Sequence, residues 1–385
     1  MEYKANLFDY LNWRGDVTME QSPFNEIDGM IFSRLSYAPF GLVAEDGVQF
    51  SGRELPDRKL LHGNFYSLGM MMHRLLAIKD IEKQVLENDD VRLFEALAES
   101  ERFKNLYLGN FIDLYDEVEE IQFSAYVIKI SEQQFCVTYR GTDSTLVGWK
   151  ENFNMGFICP IISQTLAKAY LSAFAKSVKG ELILAGHSKG GNLAAYAAAF
   201  TEEKIQKRIL NVYNYDGPGF DDSVLESEGY QSICEKIRTF VPQASMVGML
   251  LGHKEKHQVV HSTEIRGPIQ HNVYSWEVLG ARFVYEDSVN AASNYLDHTM
   301  KDWLGNMSRE QREKFVEAVY SLISGTPDKT LAGMKSNWKV NSKLILHSLV
   351  NMDEESRNII SEGMALFFKS AKRATFGNFT ENTKE

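Results

Sequence analysis

The feature that most constrains this chain is a run of small residues set between a short apolar segment and an alanine-rich one. Glu181-Leu182-Ile183-Leu184-Ala185 reads as a buried strand, Gly186-His187-Ser188-Lys189-Gly190-Gly191 as a sharp turn, and Asn192-Leu193-Ala194-Ala195-Tyr196-Ala197-Ala198-Ala199 as a helix. A serine at such a turn is held in a strained backbone conformation that lifts its Oγ clear of the sheet. Side chains two positions either way would collide with strand or helix, and glycines at 186 and 190 remove that collision. The backbone N–H of Lys189 and the positive end of the following helix then point where an oxyanion would develop, an effect worth about 3 kcal/mol per donor in acyl transfer. The Gly-x-Ser-x-Gly spacing alone would arise by chance in roughly one chain in ten of this length. The flanking strand and helix therefore carry the case for Ser188 as a nucleophile.

The segments around this turn predict an α/β fold. Residues 1–115 read as a mostly helical N-terminal segment, with apolar periodicity at Ile27 to Tyr37 and Phe65 to Ile78 and the Met70-Met71-Met72 triplet as core filling. Residues 116–290 read as the core. Short β-rich runs at Phe123 to Ile130, Gln134 to Arg140, Glu181 to Ala185, Ile209 to Tyr215, Ile237 to Val241 and His257 to Thr263 are interleaved with helices such as Gln164 to Val178. That alternation implies a mostly parallel sheet with helices on both faces. Residues 291–385 turn helical again, opening one helix with the capping-box pair Ser308 and Gln311 and another near Asp353.

Ahead of the serine turn, Phe135 to Tyr139 runs into Arg140-Gly141-Thr142-Asp143 and then Gly148-Trp149-Lys150-Glu151-Asn152; after it comes Asn211-Val212-Tyr213-Asn214-Tyr215-Asp216-Gly217-Pro218-Gly219. With the Gly-His-Ser-x-Gly-Gly turn, these motifs resemble the class 3 (fungal-type) lipase family over about residues 120 to 280. The whole chain also resembles a bacterial group of lipase-like proteins that share a Gly-His-Ser-Lys-Gly-Gly-Asn turn and a Gln-His-x-x-x-Ser-Trp segment. The resemblance implies an α/β-hydrolase fold, Thr142 as the second oxyanion donor beside Lys189, and Trp149 and Asn152 as supports.

A serine hydroxyl needs a base to take its proton. In α/β-hydrolases the histidine comes last in chain order, and His271 in Gln270-His271-Asn272-Val273-Tyr274-Ser275-Trp276 fits that order and the family position. His187, beside the nucleophile, is expected to bond locally. His253, His257 and His261 recur every four residues, but the last two lie in a β-rich run where that spacing has no helical meaning, so no metal site is expected. The family's acid sits in an Asp-x-Val-Pro segment. The matching stretch here, Val241-Pro242-Gln243-Ala244-Ser245-Met246-Val247-Gly248, holds no carboxylate. Asp216, at the end of the preceding strand, is the expected substitute. Asp221 and Asp222 on the same loop, or a dyad in which Ser245 orients the imidazole, are the alternatives.

The chain carries a net charge of −11, which disfavours nucleic acid and anionic partners over most of its surface. Its three cysteines, odd in number and widely spaced, fit free thiols in a reducing compartment, and neither a secretory signal nor an apolar run of membrane-spanning length is visible. The expectation is a cytoplasmic serine esterase or lipase without metal or organic cofactor, acting on a small acyl ester or lipid. Phe157, Met246, Met249 and Leu250 are expected to line its substrate pocket. Thioesterase or peptidase activity at the same site, and a catalytically silent binding protein on the same fold, are the competing expectations.

Overall fold

The computed structural model describes residues 4–43, 48–50, 65–143, 145–156, 158–328 and 330–381. The central element is a ten-stranded mixed sheet. Its path runs β1 (Val48–Phe50), β3 (Tyr107–Asp116), β4 (Ile121–Ser131), β5 (Gln134–Tyr139), β6 (Glu181–His187), β7 (Ile209–Tyr215), β8 (Ile237–Pro242), β9 (His257–Val260) and β12 (Tyr285–Glu286), with β2 (Tyr66–Ser67) paired to β3. β10 (Val278–Leu279) and β11 (Arg282–Phe283) form a separate small antiparallel pair. From β5 to β9 all neighbours are parallel, whereas β3, β4 and β5 form an antiparallel meander and β12 closes the far edge antiparallel. The expected parallel arrangement thus describes the middle of the sheet and not its edges.

Strand β3 falls in the stretch that reads as helical. Leu108, Ile112 and Leu114 are all buried, but the ladder with β4 shifts register between Gly109 and Ile112, where Asn110 takes a φ of 53°, so Leu108 faces the core of the N-terminal helices and Ile112 and Leu114 face the other side. The extra residue of this bulge breaks the period of two that marks a strand.

Side-chain alternation in β6 and β7 assigns one helical layer to each face of the sheet. Ile183, Ala185, Tyr213 and Tyr215 join the same core as the N-terminal helices, including Ile27, Ile31 and Phe32 of Glu26–Leu35. Burying a side chain such as Phe32 contributes about 1.5–3 kcal/mol. The alternate residue Asn214 faces the helix Lys189–Phe200 on the other side, where a Cβ at Gly191 would overlap its Oδ1. That helix is alanine-rich and buried from Lys189 to Ala199, so short side chains let it lie close to the sheet.

The N-terminal helices are clasped by two buried ion pairs. Arg102 bonds Asp28 through Nε (2.8 Å) and Nη2 (2.5 Å), and Tyr10 Oη also donates to Asp28 (2.8 Å). Arg34 bonds Asp90 at 2.6 and 2.5 Å, and Tyr274 Oη donates to the same carboxylate at 2.7 Å. Each carboxylate therefore has its donors despite complete or near-complete burial. In the methionine triplet, Met71 and Met72 fill the core while Met70 is exposed.

The chain divides into two compact units. The first comprises residues 1–141 and 162–289 and holds the sheet; the second comprises residues 142–161 and 290–385. The second is helical, with Leu146–Asn154, Ala291–Gly305, Arg309–Ser324, Leu331–Ser336, Trp338–Asn351 and Glu354–Glu381. Ser308 and Gln311 form the reciprocal capping box that their spacing predicts. Trp303, Met307, Phe315 and Val316 make this unit's core, and Trp303 Nε1 donates to Gly363 O at 2.9 Å. Among the described residues no helix is long and apolar enough to cross a membrane, and the three cysteines form no disulfide, Cys136 being fully buried.

Candidate functional site

The site lies at the C-terminal ends of β6 and β7, the edge of a parallel sheet where loops converge. His187 and Tyr215 are register partners at the ends of these strands. Ser188 and Asp216, each one residue further, leave the sheet side by side. Both take left-handed backbone angles, φ 58° and φ 51°. At Ser188 this is combined with ψ −134°, a region that costs a residue with a side chain about 1–3 kcal/mol. The surroundings hold it there: Ser188 N–H donates to Tyr215 O, and Gly191 N–H donates to Ser188 O, both at 2.9 Å. A Cβ at Gly186 would overlap Gly190, and one at Gly190 would overlap Tyr139 O. The small residues are thus required by backbone packed against backbone.

Asp216 is completely buried, and its carboxylate is surrounded by donors. Oδ1 accepts from Ser245 Oγ at 2.5 Å and from Gly248 N–H at 3.1 Å; Oδ2 lies 2.6 Å from His271 Nδ1. The contact puts the ring proton on Nδ1 and leaves Nε2 as an acceptor. Ser245 bonds Asp216, not His271, so the alternative in which Ser245 orients the imidazole is not the arrangement found. Asp221 and Asp222 are set aside on the same ground. Asp221 caps a short helix through Val224 N–H and accepts from Ser223 Oγ, and Asp222 lies exposed in that helix's first turn. The segment that lacks a carboxylate instead supplies donors to one carried by the neighbouring strand end.

His271 follows the short helix Gly267–Gln270. Its position is fixed from the β6 side by His187, whose Nε2 donates to His271 O at 2.9 Å. The His187 Nδ1 faces Tyr37 Oη at 3.1 Å, and the two histidine rings lie with centroids 4.4 Å apart, tilted by 36°. Burial, with the neighbouring His271 and Arg34, holds the His187 ring well below the usual histidine range, so it is neutral. A neutral ring that donates from Nε2 must accept at Nδ1, and the Tyr37 hydroxyl is the donor there. His187 therefore holds the His271 main chain in place through a neutral ring. Among the described residues Ser188 Oγ makes no hydrogen bond; in unliganded sites such bonds commonly tighten only around substrate.

The turn after β7 is braced in the same manner. Asn192 Nδ2 donates to Pro218 O and Gly219 O at 3.1 and 2.9 Å, and Asn214 Oδ1 accepts from Gly217 N–H at 2.9 Å. His253 extends the network behind Asp216. Its Nε2 meets Gly248 O and its Nδ1 meets Glu255 Oε1, each at 2.8 Å, so both ring nitrogens face acceptors. Burial pushes the Glu255 carboxyl up, but His253, Thr239 and Tyr230 outweigh it and bring it down to about 2. Sequence reasoning expected His187 to bond locally but did not find its bond to His271 O, nor the parts taken by His253 and Gly248, because these contacts involve main-chain atoms that no residue pattern marks.

The remaining expected site residues fall as follows. Lys189 is the first residue of its helix, where backbone N–H groups project from the helix end. Its side chain is buried, with Nζ donating to Gln122 O (2.6 Å) and Oε1 (2.9 Å). Gly141 lies against the elbow, since a Cβ there would come within 3.0 Å of Ser188 Cβ. Thr142, the next residue, has its Oγ1 shut away from solvent without a hydrogen-bond partner among the described residues. Trp149 packs on Phe153 with ring centroids 4.4 Å apart, and Asn152 Oδ1 is likewise buried and unpartnered. Met246, Met249 and Leu250 are half-buried, and Met249 packs on Val241, Val259 and Val289. Phe157 lies outside the described residues. His253 and His261 each face their own carboxylate, Glu255 and Glu277, while His257 begins β9.

No curated protein matches the chain at a significant level. Residues 97–321, more than half of the chain and a span that includes Ser188, Asp216 and His271, match the family described as Mbeg1-like, which is associated with lipase-like proteins, and the chain belongs to that family.

Proposed function

We propose that this protein is a serine hydrolase of the α/β-hydrolase type that cleaves carboxylic esters, with lipids or small acyl esters as substrates. The observation that carries the reading is the 2.6 Å contact between Asp216 and His271, made at the strand ends that also bear the strained Ser188. A buried carboxylate met by three donors, one of them an imidazole, suits a group that must stay ionised while the ring gains charge.

In the proposed cycle His271 Nε2 takes the Ser188 hydroxyl proton as Oγ adds to the ester carbonyl. Asp216 stabilises the imidazolium, and the Lys189 N–H stabilises the oxyanion. Thr142 is the proposed second donor: its buried, unpartnered hydroxyl is the kind of group that a reacting oxygen would satisfy. The imidazolium returns its proton to the departing alkoxide, leaving an ester on Ser188. Water then repeats the sequence and releases the acid. The apolar character of Met246, Met249 and Leu250 favours acyl chains as the bound group.

The test is labelling by an active-site-directed fluorophosphonate, run beside hydrolysis of p-nitrophenyl esters of graded chain length and matched thioester and amide panels. Labelling of the parent and its loss in Ser188→Ala is the expected result. A parent that neither labels nor hydrolyses any ester overturns the proposal, and faster turnover of thioesters or amides reassigns the substrate class.

A further inference from the structure

The helix Trp338–Asn351 carries a surface that is both basic and apolar. From residue 329 to residue 352 the sequence holds four lysines (329, 335, 339 and 343) and His347 but no aspartate or glutamate, within a protein of net charge −11. The same helix exposes large apolar groups: Trp338 is 61% exposed, Leu346 61% and Val350 71%. At 3.6 residues per turn, positions four apart form a row. Lys339, Lys343 and His347 make one such row, with Val340 and Leu344 along one side and Leu346 and Val350 along the other; all seven are exposed. The opposite side is turned inward, where Asn341 is buried and its Nδ2 donates to Asp328 at 2.7 Å. Asp328, the acidic residue that precedes this stretch, is thus engaged away from the exposed rows, and Asp353, which follows it, accepts from Ser356 N–H in the first turn of the next helix.

We propose that this face docks the protein on an anionic phospholipid surface. An apolar protein partner would have to bury the lysine row, and a second copy meeting it about a two-fold axis would set lysine against lysine. A lipid interface accepts both kinds of side chain together. Valine and leucine enter the acyl boundary, lysine stems lie along it with their ammonium groups at the phosphates, and a tryptophan at the helix end sits at headgroup depth. The charge argument decides between surfaces: an acid-free basic row is attracted to anionic headgroups although the molecule as a whole is repelled. The inference concerns binding, not turnover, so it stands or falls separately from the proposed hydrolase activity.

The experiment is co-sedimentation of the full chain with phosphatidylcholine vesicles, with and without about one-third phosphatidylglycerol, at low and physiological salt. Binding to the anionic vesicles alone, weakened by salt, is expected. Each lysine near the surface is worth about a fivefold change in partitioning, so Lys339→Glu with Lys343→Glu lowers binding by more than about twentyfold. Quenching of tryptophan emission by brominated lipid is expected in the parent and diminished in Trp338→Phe. That readout keeps the test decisive if the charge-reversed variant fails to fold. The proposal is overturned if the parent ignores anionic vesicles at low salt, or if a folded charge-reversed variant retains parental binding. A vesicle-independent dimer broken by Val340→Ser would assign the face to a second copy and equally overturn it.

Discussion

Replacing Asp216 by asparagine tests the proposed charge arrangement with little change in shape. Ser245 Oγ and Gly248 N–H both donate toward the Oδ1 position. An amide NH₂ turned to that side would face two donors, leaving buried polar groups unpaired at a cost of about 1–3 kcal/mol. The asparagine therefore keeps its oxygen there and presents NH₂ to His271 Nδ1, which lies 2.6 Å from Oδ2 in the parent. Nδ1 must then accept, the ring proton moves to Nε2, and the ring can no longer take a proton from Ser188. A carboxylate-to-amide change of this kind in serine hydrolases costs about 10³ to 10⁴ in rate, or about 4–5.5 kcal/mol of barrier. The assay is kcat and KM on the best p-nitrophenyl ester, with the second-order rate of fluorophosphonate labelling as an independent reading. KM should change little, and the thermal midpoint should stay near the parent's because the hydrogen-bond count is preserved. A folded Asp216→Asn protein within tenfold of the parental rate would refute the assignment of Asp216 as the acid.

Two further outcomes concern stability. Arg102→Ala strands the fully buried Asp28 carboxylate, and removing one partner of such a pair costs about 3–5 kcal/mol, measurable by urea unfolding; a loss below about 1 kcal/mol would show that Tyr10 suffices as a donor. Glu255 sits near 2 in the folded protein against an ordinary 4.5. A depressed carboxyl contributes stability that is fully present above its unfolded value and is lost as pH falls through the folded one. Between about pH 4.5 and pH 2 this residue's share of the loss is about 3 kcal/mol. Glu255→Gln should flatten the acid limb of the stability curve, and an unchanged limb would count against the assignment.

The elbow was legible because its requirements are steric and local: the glycines at 186 and 190 sit where a Cβ meets backbone, and a residue pattern records that directly. The parallel strands were legible for a similar reason. Ile209–Tyr215 is found as read from its apolar run, and the others differ by a few residues at their ends. Asp216 could be named as the expected acid from its strand-end position, but how its surroundings differ from those of Asp221 and Asp222 is visible only in three dimensions. What separates it from Asp221 is the partner each carboxylate meets, a histidine ring in one case and a helix N–H in the other. The β3 strand was hidden by one inserted residue, and the bracing by His187 and His253 was hidden because each ring bonds a main-chain carbonyl through Nε2.

The donor cradle around Asp216 also bears on what a second acid would do there. An acid restored at position 245, in the segment where the resembling lipases carry theirs, would put a second carboxylate where Ser245 Oγ now lies 2.5 Å from Asp216 Oδ1. Two carboxylates at that distance cannot both ionise, and one would hold a proton at neutral pH. That protonated carboxyl is itself a donor, so it would take the place of the Ser245 hydroxyl on Asp216 Oδ1, and the two groups would share a single negative charge. A second acid at this strand end would thus add no charge at neutral pH and would show itself as a carboxyl that titrates above the usual range.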